Sequence, residues 1–492
     1  MKSALRAGAA GFVALLLGGC MVGPKYERPE PLPGGRLPEA FNEAETLGNS
    51  SATNAALWKS AEPSAHLSRG SWWSVFGDAE LNRLEGLATE QNQELAGSLA
   101  RLEQARALVT VARSDLFPHF NFSPSFNRQR TSANSFDRGQ AAGVSHSYNT
   151  LFVGADAEWE LDLWGRVRQQ VSAARARLTA SEDDLEAARL SIQAEVATDY
   201  FSLVALESEY ALIQKTIESF RRSFDLTVNR RKGGIASDLD VSQAETQLKA
   251  AEALLPAIEL ERARVLNALA MLCGETTAQF KVQIPAGFQL LPQAVTALPS
   301  ELLERRPDVA AAERRMAAAN ADVGVAKTAF YPRVTFHGLA GLQSIDAGSV
   351  FNWPSRVWAF GPTLQLPLFT GGRNRAELAF SRAGYRGTVA DYRQSVLVAF
   401  REVEDQLAAQ RLLAEQFGAE QAALNSARRT LEIAENRYKA GLVTYLEVAT
   451  AQSAALDRER SLVRLSSERL TAQVALIKAL GGSWERTDVA SR

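Results

Sequence analysis

Between residues 389 and 438, Val389, Val396, Val403, Gln410, Phe417, Leu424, Leu431 and Tyr438 recur at seven-residue steps. An earlier stretch carries Ile192, Val196, Leu203, Leu206, Tyr210, Ile213, Ile217, Phe220 and Phe224 in the same seam, broken by polar Asp199. An apolar period of 3.5 residues, sustained over this length, describes a left-handed coiled seam between helices. The pattern predicts two very long helices, over 166–230 and 373–438. At ~1.5 Å per residue, each would reach roughly 100 Å, more than a compact domain needs. From the helices alone, a plain coiled-coil rod and the wall of a duct fit equally.

Upstream of each long helix the period shortens to two. In Val153-Gly154-Ala155-Asp156-Ala157-Glu158-Trp159-Glu160-Leu161-Asp162-Leu163, alternation puts Asp156, Glu158, Glu160 and Asp162 on one face and the apolar residues on the other. Acids facing lipid are costly, so that face is expected to line a water-filled pore. A half-solvated edge of a soluble sheet would show the same alternation. In the later stretch, Trp358, Phe360, Pro362, Leu364, Leu366 and Leu368 alternate with Ala359, Gly361, Thr363 and Gln365. Shorter strands follow Pro118, with Phe120, Phe122 and Phe126, and Pro332, with Val334 and Phe336. Trp159, Trp164, Trp353 and Trp358 suit membrane-interface girdles. Four strands cannot close around an aqueous lumen, since about eight barely enclose side chains. The chain must therefore borrow strands from copies of itself, and a ring of three would supply about twelve.

The two stretches are copies of one unit. Ala112-Arg113-Ser114-Asp115-Leu116-Phe117-Pro118 returns as Ala326-Lys327-Thr328-Ala329-Phe330-Tyr331-Pro332, an offset of 214. Gly234-Ile235-Ala236-Ser237-Asp238-Leu239-Asp240-Val241 returns as Gly441-Leu442-Val443-Thr444-Tyr445-Leu446-Glu447-Val448, an offset of 207 that Gly274 and Gly481 keep. The expected division is a signal peptide at 1–19, a Pro-rich leader at 20–70, a first repeat at 71–285, and a second at 286–492 ending in a C-terminal tail. Each repeat reads helix, strand, strand, very long helix, turn, helix. The fold class is mixed and mainly α.

Composition narrows the function. Hydrophobic residues make up 46% of the chain, yet after the N-terminus no charge-free apolar run reaches the ~18 residues of a spanning helix. A membrane crossing would have to be a β-barrel. The net charge of −2 gives no basis for nucleic-acid binding. Lys2 and Arg6, then apolar residues 7–17, then Leu17-Gly18-Gly19-Cys20 have the order of a bacterial signal peptide ending in a lipobox-like run. On that reading Cys20 is acylated, and several acyl chains anchor the protein firmly. The remaining cysteine, Cys273, is expected in the core. The four histidines (His66, His119, His146 and His337) lack metal-ligand spacing, and there is no phosphate loop or nucleophile elbow. An enzyme, a resident metal and a cofactor are accordingly not expected.

Trp72-Trp73-Ser74-Val75-Phe76-Gly77-Asp78-Ala79-Glu80-Leu81 and Leu298-Pro299-Ser300-Glu301-Leu302-Leu303-Glu304-Arg305-Arg306-Pro307-Asp308-Val309-Ala310 are similar to two runs typical of outer membrane factors. The chain resembles the OprM-type lipoprotein branch of these TolC-like channels over essentially its whole mature length. The two runs themselves read as structural, with Pro307 beginning a helix and the tryptophans packing a junction. The resemblance implies a homotrimer with a twelve-strand barrel in the outer membrane and an α-barrel of helical hairpins in the periplasm. It also implies a periplasmic adaptor that links the duct to an inner-membrane pump. The function implied is a passive exit duct for small molecules in an RND-type efflux system. A metal-ion efflux duct, a type I secretion duct and a non-channel coiled-coil scaffold are the alternatives. The mature chain has only Met21, Met271 and Met316, so no thioether relay for a soft metal is evident.

The turns Arg231–Ser237 and Arg437–Thr444 then become the hairpin tips, with Gly234, Ile235, Gly441 and Leu442 expected at the adaptor contact. Glycine there also simply ends a helix, and Ser237 and Thr444 can cap the next one. Aligned on the tip glycines, Asp240 and Tyr438 match a hydrogen-bonded pair that restrains TolC-like channels, and Glu447 matches an acidic ring at the narrowest point. Val443 stands where the lock has a basic residue and Thr450 where the ring has a second acid, leaving Arg437 as a substitute in the lock. Each of these residues would equally suit a solvated helix end.

Overall fold

The computed structural model describes residues 21–32, 41, 70–132, 145, 147–284 and 305–482; Cys20 lies outside them. The chain divides into two compact units. One comprises residues 1–29, 102–181 and 312–392, the other residues 30–101, 182–311 and 393–492. Four helices pass from one unit into the other: α2 (Gln93–Ser114), α3 (Arg166–Lys232), α6 (Pro307–Thr328) and α7 (Arg373–Lys439). The helices α3 and α7 are 67 residues each, within two residues of the expected bounds. No helix among the described residues is long and apolar enough to cross a membrane.

The first unit holds the sheet. Strands β1 (His119–Phe122) and β2 (Ser125–Arg130) both pair antiparallel with β3 (Ser147–Glu160). Strand β3 pairs with β4 (Arg333–Ser344), and β4 with β5 (Arg356–Gln365). Five strands therefore stand where the sequence suggested four. Strands β1 and β2 are one arm interrupted at Ser123-Pro124, where proline has no N–H for the ladder. The Ser123 N–H still reaches the Gly154 carbonyl at 3.0 Å, so the arm keeps its course. Pro362 lies in β5, whose one partner among the described strands is β4. That is an edge position, where proline is tolerated.

The second unit is helical: α1 (Ala79–Gln91), α4 (Asp238–Glu252), α5 (Leu254–Leu272) and α8 (Tyr445–Ala479), with the longer parts of α3 and α7. Two helices expected to be continuous are broken. Asn92 separates α1 from α2: its Oδ1 accepts the Glu94 and Leu95 amides at 2.9 and 3.0 Å, and its Nδ2 donates to the Leu272 carbonyl at 2.8 Å. Ala253 separates α4 from α5, and Pro256 sits in the first turn of α5, where a missing N–H costs least.

The tryptophan run is buried. Trp72, Trp73 and Phe76 form a 3-10 helix packed with Leu81, Leu84, Val196, Leu203 and Leu269. Trp72 Nε1 donates to Gln193, and the Tyr200 hydroxyl donates to Asp78 at 2.7 Å. Cys273 is buried in the same core, and burial pushes its thiol up to about 12. As expected, Pro307 is the first residue of α6. The preceding Arg306 is buried and bonds Asp308, Glu402 and the Ala479 carbonyl.

Candidate gate at the hairpin tips and the acidic strand

Both tips stop their long helices in the same way. Ile235 N–H bonds the Arg230 carbonyl at 2.8 Å, and Gly234 N–H bonds the Arg231 carbonyl at 2.9 Å. Leu442 and Gly441 repeat this onto Arg437 and Tyr438, at 3.0 and 2.9 Å. Gly234 and Gly441 have φ of 74° and 75°, the left-handed conformation that this helix stop requires. Ile235 and Leu442, which follow them, are 69% and 71% exposed, so both tips present an unpacked aliphatic side chain.

The next helices begin differently. Ser237 caps α4 in a reciprocal box with Asp240, whose Oδ2 accepts the Ser237 amide and hydroxyl at 2.9 and 2.8 Å. Thr444 precedes α8 but makes no side-chain cap. Instead, Asp240 Oδ1 accepts the Tyr445 amide at 3.1 Å, so one carboxylate caps both α4 and α8. Burial opposes its ionisation. The bonds from Ser237 and Tyr445 and the Arg230 charge outweigh that and hold the carboxyl below its ordinary value.

Within the chain Tyr438 and Asp240 are not bonded to each other. The Tyr438 hydroxyl, inside the tip, donates to buried Thr227 at 3.3 Å. Its ring stacks edge-on against Tyr445 at 5.5 Å and carries the Arg230 guanidinium 4.8 Å above it. Tyr445 continues inward to Gln452, and Gln452 to Ser223, at 3.1 and 3.2 Å. Glu447 is half-exposed and pairs with Arg437 at 3.6 Å. Thr227, Arg230, Tyr445, Gln452 and Ser223 were not singled out by the sequence. Arg230 had one signal: it stands 207 positions before Arg437, the offset of the repeat.

In the strand unit the four acids fall into two pairs. Asp156 lies opposite Asn121 and accepts from Asn121 and Ser123 at 3.0 and 2.9 Å. Glu158, flanked by His119 and His337, is exposed. Glu160 takes a two-pronged bond from Arg166, 2.7 Å on each oxygen, and a third from Arg333 at 2.6 Å. Asp162 is past the end of β3, a correction to the expected strand. It accepts the Val167 and Arg168 amides at 3.0 Å each, capping the first turn of α3. Among the described residues no three His, Cys, Asp or Glu side chains are grouped to hold a metal ion.

The profile of the outer membrane efflux protein family matches residues 84–275 and 298–482, most of the chain. The chain belongs to that family. Outer membrane protein OprJ of Pseudomonas aeruginosa is 36% identical over 476 residues, covering 96% of this chain and 95% of that one. A toluene efflux pump outer membrane protein, TtgC of Pseudomonas putida, is 31% identical, covering 97% and 96%. The solved structure of the outer-membrane channel OprN superposes with a TM-score of 0.82 at 29% identity, covering 94% of this chain and all of that one. Like its relatives, this outer membrane efflux protein belongs to the outer membrane, and the strand unit and the tips take their meaning from that setting. Glu160 and Asp162 serve the strand-to-helix corner of the efflux protein, while among the described residues no Lys or Arg pairs with Asp156 or Glu158.

Proposed function

We propose that three copies of the chain close one twelve-strand β-barrel and form the passive exit duct of a tripartite, RND-type efflux system. The observation that carries this reading is the open sheet. Its outer strands, β1–β2 on one side and β5 on the other, each have a single partner strand among the described residues. Strands with unpaired edges inside a membrane are not viable, so the edges need copies of themselves. Phe120, Phe122 and Phe126 on the first arm and Trp358, Phe360 and Leu364 on β5 are 62–75% exposed, a surface suited to lipid.

Acylated Cys20 fixes the leader to the membrane, and Met21, the next residue, packs against Gly165 at the corner between β3 and α3. The tips carry the exposed Ile235 and Leu442 toward a periplasmic adaptor protein, which links the duct to the inner-membrane pump. The cargo is small molecules, a reading supported by the named substrate of the TtgC pump. Asp240, Tyr438 and Glu447 form the gate, with Arg437 beside Glu447 in place of the missing basic residue at Val443. No step of chemistry is assigned to the chain; energy comes from the pump.

The test is the native mass of the lipid-modified protein in detergent, followed by its conductance in a planar bilayer. A stable trimer that conducts supports the shared barrel. A stable monomer leaves the sheet edges unpaired and returns the chain to the role of a coiled-coil scaffold.

A further inference from the structure

Two helix ends of the second hairpin are completed by the first hairpin. The α7 C-terminus ends at Lys439, whose carbonyl is among those with no partner inside the helix. Arg230, two residues before the end of α3, donates Nη1 to it at 3.0 Å. The α8 N-terminus receives the Asp240 carboxylate described above. A cation thus faces the negative end of α7 and an anion the positive end of α8, both in the favourable sense for the helix dipoles.

We infer that Arg230 is a positioning residue of the gate, holding the second tip, with Tyr438 and Glu447, against the first. The inference rests on the gate reading proposed above. Three observations support it. Arg230 makes two unlike contacts with the second tip, the Lys439 carbonyl and the face of the Tyr438 ring, which a flat cation with five donors is built to make together. Its Nε is buried without a hydrogen-bond partner, so the side chain gives up solvation to hold this place. A Cβ on Gly441 would stand 3.7 Å from its Nη2, which puts the guanidinium against the turn itself.

The repeat supplies an internal control. Arg437 occupies the equivalent position of the second copy, and the helix stop around it has the same two backbone bonds. Yet Arg437 turns to Glu447 of its own hairpin, at 3.6 Å. The stop therefore forms whichever way the arginine points, and bridging the hairpins is not a by-product of ending α3. Removing the Arg230 side chain should leave both turns intact and cut the tie between them.

The experiment compares Arg230→Gln, Arg230→Met and Arg230→Lys with the double variant Asp240→Ala/Tyr438→Phe, all as full-length lipid-modified protein. The readouts are single-channel conductance in planar bilayers and uptake of a bulky glycopeptide antibiotic by cells producing each variant at equal levels. Arg230→Gln and Arg230→Met are expected to raise both readouts severalfold. Arg230→Lys, which keeps the charge and a donor but not the flat fork that makes both contacts, should close the channel only in part, with both readouts between wild type and the Gln variant. Wild-type behaviour of Gln and Met variants beside an opened double variant overturns the role of Arg230 and leaves the gate standing. Wild-type behaviour of the double variant as well overturns both. Should Gln and Met variants fail to assemble, Arg230→Lys decides alone: the inference stands if its conductance lies above wild type and falls if it equals wild type.

Discussion

Glu85 shows how one residue can set the pH response of a whole packing layer. It sits on α1 in the tryptophan core with no exposed surface, and neither carboxylate oxygen has a hydrogen-bond partner. Burial pushes its carboxyl up to about 9. The folded chain therefore carries this acid neutral, whereas the unfolded chain ionises it near the ordinary value of 4.5. The folded state holds the extra proton, so stability is full below the unfolded value and falls as pH rises toward about 9. Glu85→Leu should remove that slope and stabilise the protein by about 1–3 kcal/mol at neutral pH, because an unpaired buried polar group is replaced by an apolar one. Thermal midpoints across a pH series check it; parallel curves for the two proteins would mean that Glu85 has water or a partner. Asp240 has the opposite sign. Its carboxyl is held low, so its contribution to the tips is present at neutral pH and lost as pH falls below the ordinary aspartate value.

At the scale of elements, the leader behaves as a strap. Val22 N–H bonds the Trp164 carbonyl at 3.0 Å, and Asn320 donates to the Pro24 carbonyl at 3.2 Å. Tyr26 reaches Glu313 at 3.4 Å, and Arg28 reaches the Tyr392 hydroxyl at 3.1 Å. Between them Gly23 passes through a groove where a Cβ would lie 2.2 Å from Gln169 Nε2 and 3.3 Å from Gly324 Cα. Gly23→Val should therefore cost about 1–3 kcal/mol of overpacking and release the strap. Faster proteolysis between residues 21 and 32, with the body of the chain intact, is the expected outcome; an unchanged rate would show that Gln169 simply moves aside. None of this was legible in the sequence, since a Pro-rich segment has no period and no pattern singles out Asn320 or Glu313. The long helices and their turns were legible because a heptad pattern and a glycine stop are local. The breaks were not. Asn92 and Arg306 are equivalent across the 214-residue offset and bond equivalent carbonyls, those of Leu272 and Ala479. They use different chemistry to do so, an amide in one and a guanidinium in the other, so no pattern of residue types reveals the shared task.

For the whole molecule, the acids of the strand decide what kind of pore the proposed barrel would be. Period-two alternation assigned all four acids to one face, which is correct along β3 and stops being informative where the strand ends. Glu160 is neutralised by Arg166 and Arg333, and Asp162 by the first turn of α3 and by Arg168. Their charge is spent on holding the corner, whatever the strand faces. Among the described residues Asp156 is bonded to the neutral donors Asn121 and Ser123, and no Lys or Arg pairs with Glu158, whose ladder neighbours are His119 and His337. In a ring of copies these two would repeat around the lumen and favour cations over anions. Asp156→Asn with Glu158→Gln should thus lower the cation-to-anion permeability ratio, read from reversal potentials in a salt gradient, and leave assembly intact. Glu160→Gln should do the reverse: selectivity nearly unchanged, but lower thermal stability by about 1–3 kcal/mol per chain, since it removes the charged acceptor that a partly buried Arg166 and an exposed Arg333 share. If instead Glu160→Gln shifted the reversal potential and the Asp156/Glu158 variant did not, the selectivity of the lumen would be set at the corner rather than along the strand.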